Sequence, residues 1–278
     1  MTVRILPRSG VRPAPDQAHD HTLGGQPYDG PLLEVCGLTK HYGPTVALES
    51  LSFTVDAGEC VGLVGANGAG KSTVIALLSG VTRPTAGTIS LAGRPRSFPD
   101  PLTARKAGVE TLHQRLALVD TLDVVANFHL GRELHRTGLL TPFRILDRAT
   151  MRRRTEQAVA ELDLAIRGGV TRRVGDLSGG QRQAVAIARA AYWRSRLLLL
   201  DEPTAALGHE ETTAAVGTIR RAIRAADAAT VFVSHDLPLV HHLCDRVVVL
   251  RQGRHAATLG GADLTVEQLV SYMTGAKS

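Results

Sequence analysis

The segment Gly65-Ala-Asn-Gly-Ala-Gly-Lys-Ser72 constrains this chain more than any other. It matches G-x-x-x-x-G-K-[ST], follows the compact apolar run ECVGLVG (59–65) and opens the helix-like GKSTVIALLSG, which Gly80 stops. Strand, glycine loop and helix in that order make a phosphate-binding turn. Gly65, Gly68 and Gly70 allow backbone turns that side chains would block, so consecutive N–H groups along the loop, those of Ala66, Asn67 and Ala69 included, can surround a phosphate. Lys71 would reach the β and γ phosphates of a nucleotide, and the Ser72 hydroxyl would bind Mg²⁺. The context on both sides favours this over a merely tight strand-to-helix turn.

Other residues add chemistry to that loop. The run Leu197–Leu200 delivers Asp201 and Glu202 to the carboxyl end of a strand, where open α/β sheets place their ligands. Asp201 would bind Mg²⁺ through its water shell, and Glu202 would polarise an attacking water as general base. Such a pair alone is more often a helix cap; a phosphate loop in the same chain favours the catalytic role. His235, closing TVFVSH, could hydrogen-bond the γ-phosphate and the water, although lone histidines are usually structural. Gln114, in GVETLHQRLALVD, could contact Mg²⁺ or water without adding charge, or be an ordinary surface amide. Tyr42, in LTKHYGP, could stack on adenine or simply pack.

The stretch LSGGQRQAVAIARA (177–190) poses a question. A glycine-led helix start offers free N–H groups and a positive dipole end, both of which attract an anion. It has no lysine, and the chain already owns a complete phosphate loop. This second half-site must serve something else.

Strand and helix alternation argues for a mainly parallel, covered sheet. LLEVCGL and SLSFTV predict antiparallel strands between Leu32 and Val55, TAGTISLAG (85–93) a hairpin, and DRVVVLRQGRHAATLG another around Gly253. A last helix is opened by the pair Thr265 and Gln268, with Val266, Leu269, Val270 and Met273 on one face. From about 101 to 175 the texture turns helical and Arg-rich; DRATMRRRTEQAVAELDL spaces Met151, Val159 and Leu162 as one apolar stripe. Residues 1–30, rich in Pro, Gly, Arg and Asp and without a secretory pattern, are expected to be a disordered lead-in. Residues 31–278 then form one α/β unit with a helical insertion at about 101–175. With 44% hydrophobic and 21% charged residues the chain is of the soluble globular class, and Leu197–Leu200 falls far short of the roughly 18 apolar residues that span a bilayer. Three widely spaced cysteines, Cys36, Cys60 and Cys244, suggest a reducing compartment. The net charge of +6 is concentrated at 101–175, which holds 13 Arg and Lys against 8 Asp and Glu. That surface could meet nucleic acid, anionic lipid or an acidic partner, or consist of solvated helix faces.

LTKHYG, GANGAGKST, the Gln114 segment, LSGGQ, LLLLDEP and the Ser-His pair ending at 235 occur in the order seen in ABC-type ATPases, from about Leu32 to the C-terminus. This chain resembles them. The resemblance implies a P-loop NTPase fold with a mainly parallel core sheet, an N-terminal antiparallel β-subdomain and an inserted α-helical subdomain. It implies that Lys71, Ser72, Thr73, Asp201, Glu202, Gln114 and His235 bind or hydrolyse ATP with Mg²⁺, and that Tyr42 is the adenine platform. It also answers the question of LSGGQ: Ser178, Gly179 and Gly180, with Gln181 completing the motif, approach the γ-phosphate held by a second subunit. A lysine-free helix start is a weak anion site alone, but adds attraction when a nucleotide is already fixed opposite it. ATP would bridge two copies, and hydrolysis would loosen them.

AGVETLHQRLALVDTLDVVANFHLGRE and DEPTAALG look, more narrowly, like the ATPases of bacterial monosaccharide importers. Two departures stand out. Many such proteins fuse two nucleotide domains, and position 208, usually Asp in the wider superfamily, is Gly here, as looks familiar in the sugar subgroup. Retained hydrolysis is expected. The implied partners are a second copy, permease subunits that carry the transport path and, indirectly, a secreted or periplasmic sugar-binding protein; nucleic acid is not among them. The implied place is peripheral, at the cytoplasmic face of the membrane. A soluble ABC ATPase that remodels ribosomes or nucleic acid is the alternative, though such proteins usually pair two domains in one chain. A phosphate-loop kinase leaves LSGGQ and His235 unexplained.

Overall fold

The computed structural model describes residues 29–114, 116–136, 145–193, 196–205, 207–224 and 228–277, with Thr22–Leu23 (β1) and Gln26–Pro27 (β2), which pair antiparallel. The remainder of the expected lead-in before residue 29 lies outside the described residues.

Strands β3 (Leu33–Tyr42) and β4 (Thr45–Val55) form the expected antiparallel pair. After β5 (Cys60–Gly65) and α1 (Lys71–Leu78) comes the hairpin of β6 (Ala86–Leu91) and β7 (Arg94–Arg96). These give a four-stranded antiparallel sheet in the order β4-β3-β6-β7. Helix α2 (Pro101–Lys106) leads to β8 (Val109–Leu112), and α3 (Val124–His129), α4 (Arg148–Glu161) and α5 (Gly179–Trp193) follow. The chain then alternates through β9 (Leu197–Asp201), α6 (His209–Arg224), β10 (Ala229–Val233), α7 (Leu237–Leu243) and β11 (Arg246–Arg251), and ends with β12 (Arg254–Gly260) and α8 (Val266–Thr274). The central sheet runs β12-β11-β5-β10-β9-β8, parallel except for β12.

Period-two alternation builds two cores on the faces of this sheet. Val64, Leu198, Leu200, Phe232, Val247 and Val249 face one cluster with the helices α3 to α8. Val61, Leu63, Leu197, Leu199, Val231, Val233, Val248 and Leu250 face the other, closed by α1 and the antiparallel sheet. The four leucines 197–200 are all fully buried, because neighbours cover both faces. Helices start where the sequence supplies a cap. Asp100, Asp123, Asp147, Asp236 and Thr265 each accept the N–H three residues on, opening α2, α3, α4, α7 and α8.

Two expectations need correction. The segment after Pro101 does not begin with the inserted helices: β8 hydrogen-bonds along β9 as an edge strand of the central sheet, so the helical stretch starts beyond Gln114. The run before Gln114 is strand-like in the sequence, and this four-residue strand is that run. On α8, Leu269 is buried and Tyr272 and Met273 pack on the core, while Val270 is exposed. Cys60 and Cys244, whose places beside apolar runs predict burial as small apolar residues, are buried free thiols that meet inside with sulfurs 3.7 Å apart.

One ion pair ties β11 to the turn before β5. Arg246 donates Nε and Nη2 to the Glu59 carboxylate at 2.7 and 3.0 Å and Nη2 to the Thr54 carbonyl at 2.8 Å. Burial pushes the Glu59 carboxyl up, but the hydrogen bonds from Arg246 and the Asp56 N–H, with the guanidinium charge, outweigh it and hold the pKa below its usual 4.5. A depressed carboxylate pKa stabilises the fold above the unfolded value, and that contribution is lost as pH falls through the folded one. The loss in melting temperature on acidification below 4.5 is therefore expected to be smaller in Glu59→Gln than in the parent, which thermal melts across pH can check.

Candidate nucleotide site

The loop between β5 and α1 has the shape the motif predicts. Gly68 and Gly70 take left-handed conformations at φ +78° and +104°, and a Cβ on Gly70 would lie 2.8 Å from the Ala47 carbonyl oxygen. A Cβ on Gly65 would collide with the Leu250 carbonyl. The loop is braced from behind, where the Gly253 N–H of the β11–β12 turn donates to the Ala69 carbonyl at 3.1 Å. Helix α1 begins without any side-chain cap, leaving its first N–H groups directed at the loop.

Lys71 lies across this loop and donates to the carbonyls of Gly65 and Ala66 at 2.6 and 3.0 Å. Burial lowers its pKa, while the charges of Glu202 and Asp201 pull the other way. Both acids therefore lie within electrostatic reach of the lysine. The Asp201 carboxyl is pushed above its usual range, first by burial and then by Glu202, with His113 and Lys71 opposing.

Glu202 follows β9 with φ +50°, a left-handed backbone that a non-glycine residue adopts at a cost of about 1–2 kcal/mol. Its N–H donates to Val233 at the end of the neighbouring β10 at 2.9 Å, which holds it there. Its side chain pairs with His235, Nδ1 to Oε2 at 2.8 Å. The histidine side chain is 71% exposed and the glutamate 17%, so the pair faces solvent through the imidazole. Because β9 and β10 are parallel and in register at Asp201 and Val233, the residues that follow them emerge at the same sheet edge.

Lys71, Glu202 and His235 share one cleft of about 740 Å³. It is lined by Asn67 to Thr73, Gln114, Glu202 and His235, with Ala47 and Ala205. Ala47 comes from the antiparallel sheet and Ala205 from the loop after Glu202, and neither carries a motif that singles it out. Of the expected site residues outside the LSGGQ stretch, Gly65, Ala66, Asp201 and Tyr42 are not among the lining residues. Tyr42 lies on the same hairpin as Ala47, half exposed, with the Lys40 ammonium 4.9 Å from its ring centre. A glycine cradle with a lysine at its mouth fits a polyphosphate. The hydroxyl of Ser72, the carboxylate of Asp201 and the amide of Gln114 are hard oxygen donors of the kind Mg²⁺ accepts alongside phosphate oxygens.

Ser178, Gly180 and Gln181 line a different cleft of about 600 Å³, at the start of α5, with Gly179 between them in the chain but not in the lining. The motif is a capping box: Ser178 Oγ accepts the Gln181 N–H at 3.2 Å, and Gln181 Oε1 accepts the Ser178 N–H at 3.3 Å. The expectation of free N–H groups here needs correction, because the Gly180 N–H is bonded to the Glu211 carboxylate at 3.1 Å. Glu211 escaped the sequence reading, although a glutamate three residues after Gly208 is the spacing of a helix start.

Helix α5 connects the two clefts. Gln183 donates to the Pro203 carbonyl beside Glu202. Arg189 donates to the Leu116 and Ala117 carbonyls just past Gln114, at 3.1 and 3.0 Å. Trp193 Nε1 donates to Phe128 on α3 at 2.6 Å, inside an aromatic cluster with His129 and Tyr192. Helix α5 thus touches the loop after Glu202, the segment past Gln114 and the inserted helix α3.

The family described as "ABC transporter" matches residues 48–205. The fructose import ATP-binding protein FrcA of Rhizobium meliloti is 41% identical over 89% of this chain and 95% of its own length. The ribose import ATP-binding protein RbsA of Chelativorans is 41% identical over 88% of this chain, which spans just under half, 46%, of that relative. Among solved structures, a nucleotide-free ATP-binding cassette from an ABC transporter superposes with a TM-score of 0.73 at 21% identity, over 87% of this chain and 96% of that one. A bacterial ABC transporter cassette described as dimeric gives 0.67 at 22% identity, over 82% and 98%. Fold and sequence agree: this chain is an ATP-binding protein of the ABC transporter family, whose members are ATPases.

Proposed function

We propose that the chain is the ATP-hydrolysing subunit of an importer for a simple sugar, working as two copies on separate permease subunits at the cytoplasmic face of the membrane. The observation that carries this reading is the Glu202–His235 pair facing the same cleft as Lys71. Its sugar-import part rests on the resemblance to the fructose import protein along nearly the whole of both chains. Among the described residues no helix is long and apolar enough to cross a membrane.

In this reading the N–H groups from Ala66 to Thr73 hold the phosphates of ATP, and Lys71 turns from its own carbonyls to the β and γ oxygens. Ser72 and Asp201, with the Gln114 amide at the rim, would hold Mg²⁺, which neutralises charge on the phosphates. Glu202 takes the proton of a water as its oxygen bonds to the γ phosphorus and the bond to ADP breaks. His235 keeps the glutamate oriented and donates toward the γ-phosphate. Tyr42 offers its exposed ring to adenine. Ser178, Gly179, Gly180 and Gln181 of one copy meet the nucleotide of the other.

The test is ATP turnover of the chain reconstituted with its permease, with and without a sugar-loaded binding protein. Stimulation by both, absent in Glu202→Gln, is expected. Turnover indifferent to any permease, together with salt-sensitive RNA binding, would instead favour the remodelling alternative that the basic 101–175 segment leaves open.

A further inference from the structure

Glu211 occupies the place that the two-copy reading reserves for a phosphate. Its Oε1 accepts the Gly180 N–H at 3.1 Å at the mouth of α5, and its Oε2 accepts the Gly208 N–H at 3.3 Å in the loop that follows Glu202. The contact is close along the whole side chain. A Cβ on Gly180 would lie 3.3 Å from Glu211 Cβ and Cγ, and one on Gly179 would lie 3.5 Å from its Oε1. Gly180 therefore lets this glutamate pack closely, while a side chain on Gly179 would meet it only at ordinary contact distance. One carboxylate joins two segments that the sequence separates by about thirty residues, and does so across the N-terminal ends of both α5 and α6.

We propose that Glu211 is a positioning residue whose carboxylate acts as an internal stand-in for the partner's γ-phosphate and must yield the Gly180 N–H before two copies can close on ATP. This rests on the two-copy reading above. An anion at a helix N-terminus is favourable, so the separated protein keeps its α5 mouth satisfied and fixed against the loop after Glu202. A second anion arriving at the same N–H must displace the first or sit beside a like charge. Both cost free energy that the nucleotide has to supply. Glu211 thus raises the ATP concentration at which closure occurs, and it does so equally at both symmetry-related sites.

The experiment uses the full chain with Glu202→Gln to block hydrolysis, and measures dimerisation against ATP·Mg²⁺ concentration by analytical ultracentrifugation. Adding Glu211→Gln, which keeps an acceptor oxygen but removes the charge, is expected to lower the ATP midpoint by roughly tenfold. Glu211→Ala is expected to lower it as well, while reducing the melting temperature of the nucleotide-free protein because the link between α5 and α6 is gone. A role as structural link alone predicts that Glu211→Gln behaves like the parent and that only Ala destabilises; that result, or a midpoint that rises in Gln, overturns the inference. Absence of any ATP-dependent dimer in the Glu202→Gln protein itself would overturn the two-copy reading, and this inference with it. A dimer whose midpoint ignores Glu211 would overturn the inference alone.

Discussion

Glu202→Gln is expected to lower kcat for ATP hydrolysis by about 10²–10⁴-fold, the usual contribution of a positioned general base, while leaving the dissociation constant for ATP nearly unchanged. The two effects separate because of where the residue sits. Glutamine has the same length, and its amide can still meet His235 Nδ1 across the 2.8 Å contact. The left-handed backbone at φ +50° and the hydrogen bond to Val233 are set by the main chain and are untouched. What disappears is the basic electron pair that receives the water proton. In the proposed reading phosphate binding lies with the glycine loop and Lys71, and losing a negative charge near the lysine is not expected to weaken it. Single-turnover hydrolysis and equilibrium ATP binding, measured on the same preparation, check both halves. Turnover within about threefold of the parent would remove Glu202 from the role of base. His235→Ala is expected to fall between the two, since it acts by orienting Glu202.

How much of this site the sequence discloses depends on how local the geometry is. The phosphate loop is legible because Gly65 to Thr73 are contiguous and their conformation is set by glycine, so the pattern nearly dictates the shape. Asp201, Glu202 and His235 are legible for a second reason: buried parallel strands β9 and β10 end in register, and residues past their ends share an edge. Long-range packing hides the rest. Ala47 reaches the cleft only because the antiparallel sheet docks against Gly70. The left-handed backbone of Glu202 depends on a carbonyl 31 residues away, and the Cys60–Cys244 contact on two elements 184 residues apart. LSGGQ is the instructive case. Its glycines and its helix start are plain in the sequence, but the carboxylate that faces them arrives from the next helix, so the motif looks emptier than it is.

Lys71→Met is the converse of the glutamate substitution, because it removes binding rather than turnover. A charge-assisted hydrogen bond contributes about 1.5–3 kcal/mol, so ATP affinity is expected to fall by roughly 10- to 100-fold. Hydrolysis at subsaturating ATP falls at least as far. The fold should not suffer with it. Without nucleotide the ammonium is half-buried against the Gly65 and Ala66 carbonyls, and burial already disfavours its charge, as the lowered pKa records. The methionine stem fills similar volume; the Ala66 carbonyl is exposed to water, and only that of buried Gly65 is left without a donor, which costs about 1 kcal/mol. Melting temperature is therefore expected within a few degrees of the parent without ATP. With saturating ATP, the parent gains stability by mass action and the variant gains far less. Thermal melts with and without ATP·Mg²⁺ read both quantities from one experiment. A variant that unfolds early yet is stabilised by ATP as strongly as the parent would mean that Lys71 serves the loop's own structure, and that the phosphates are held by backbone N–H groups alone.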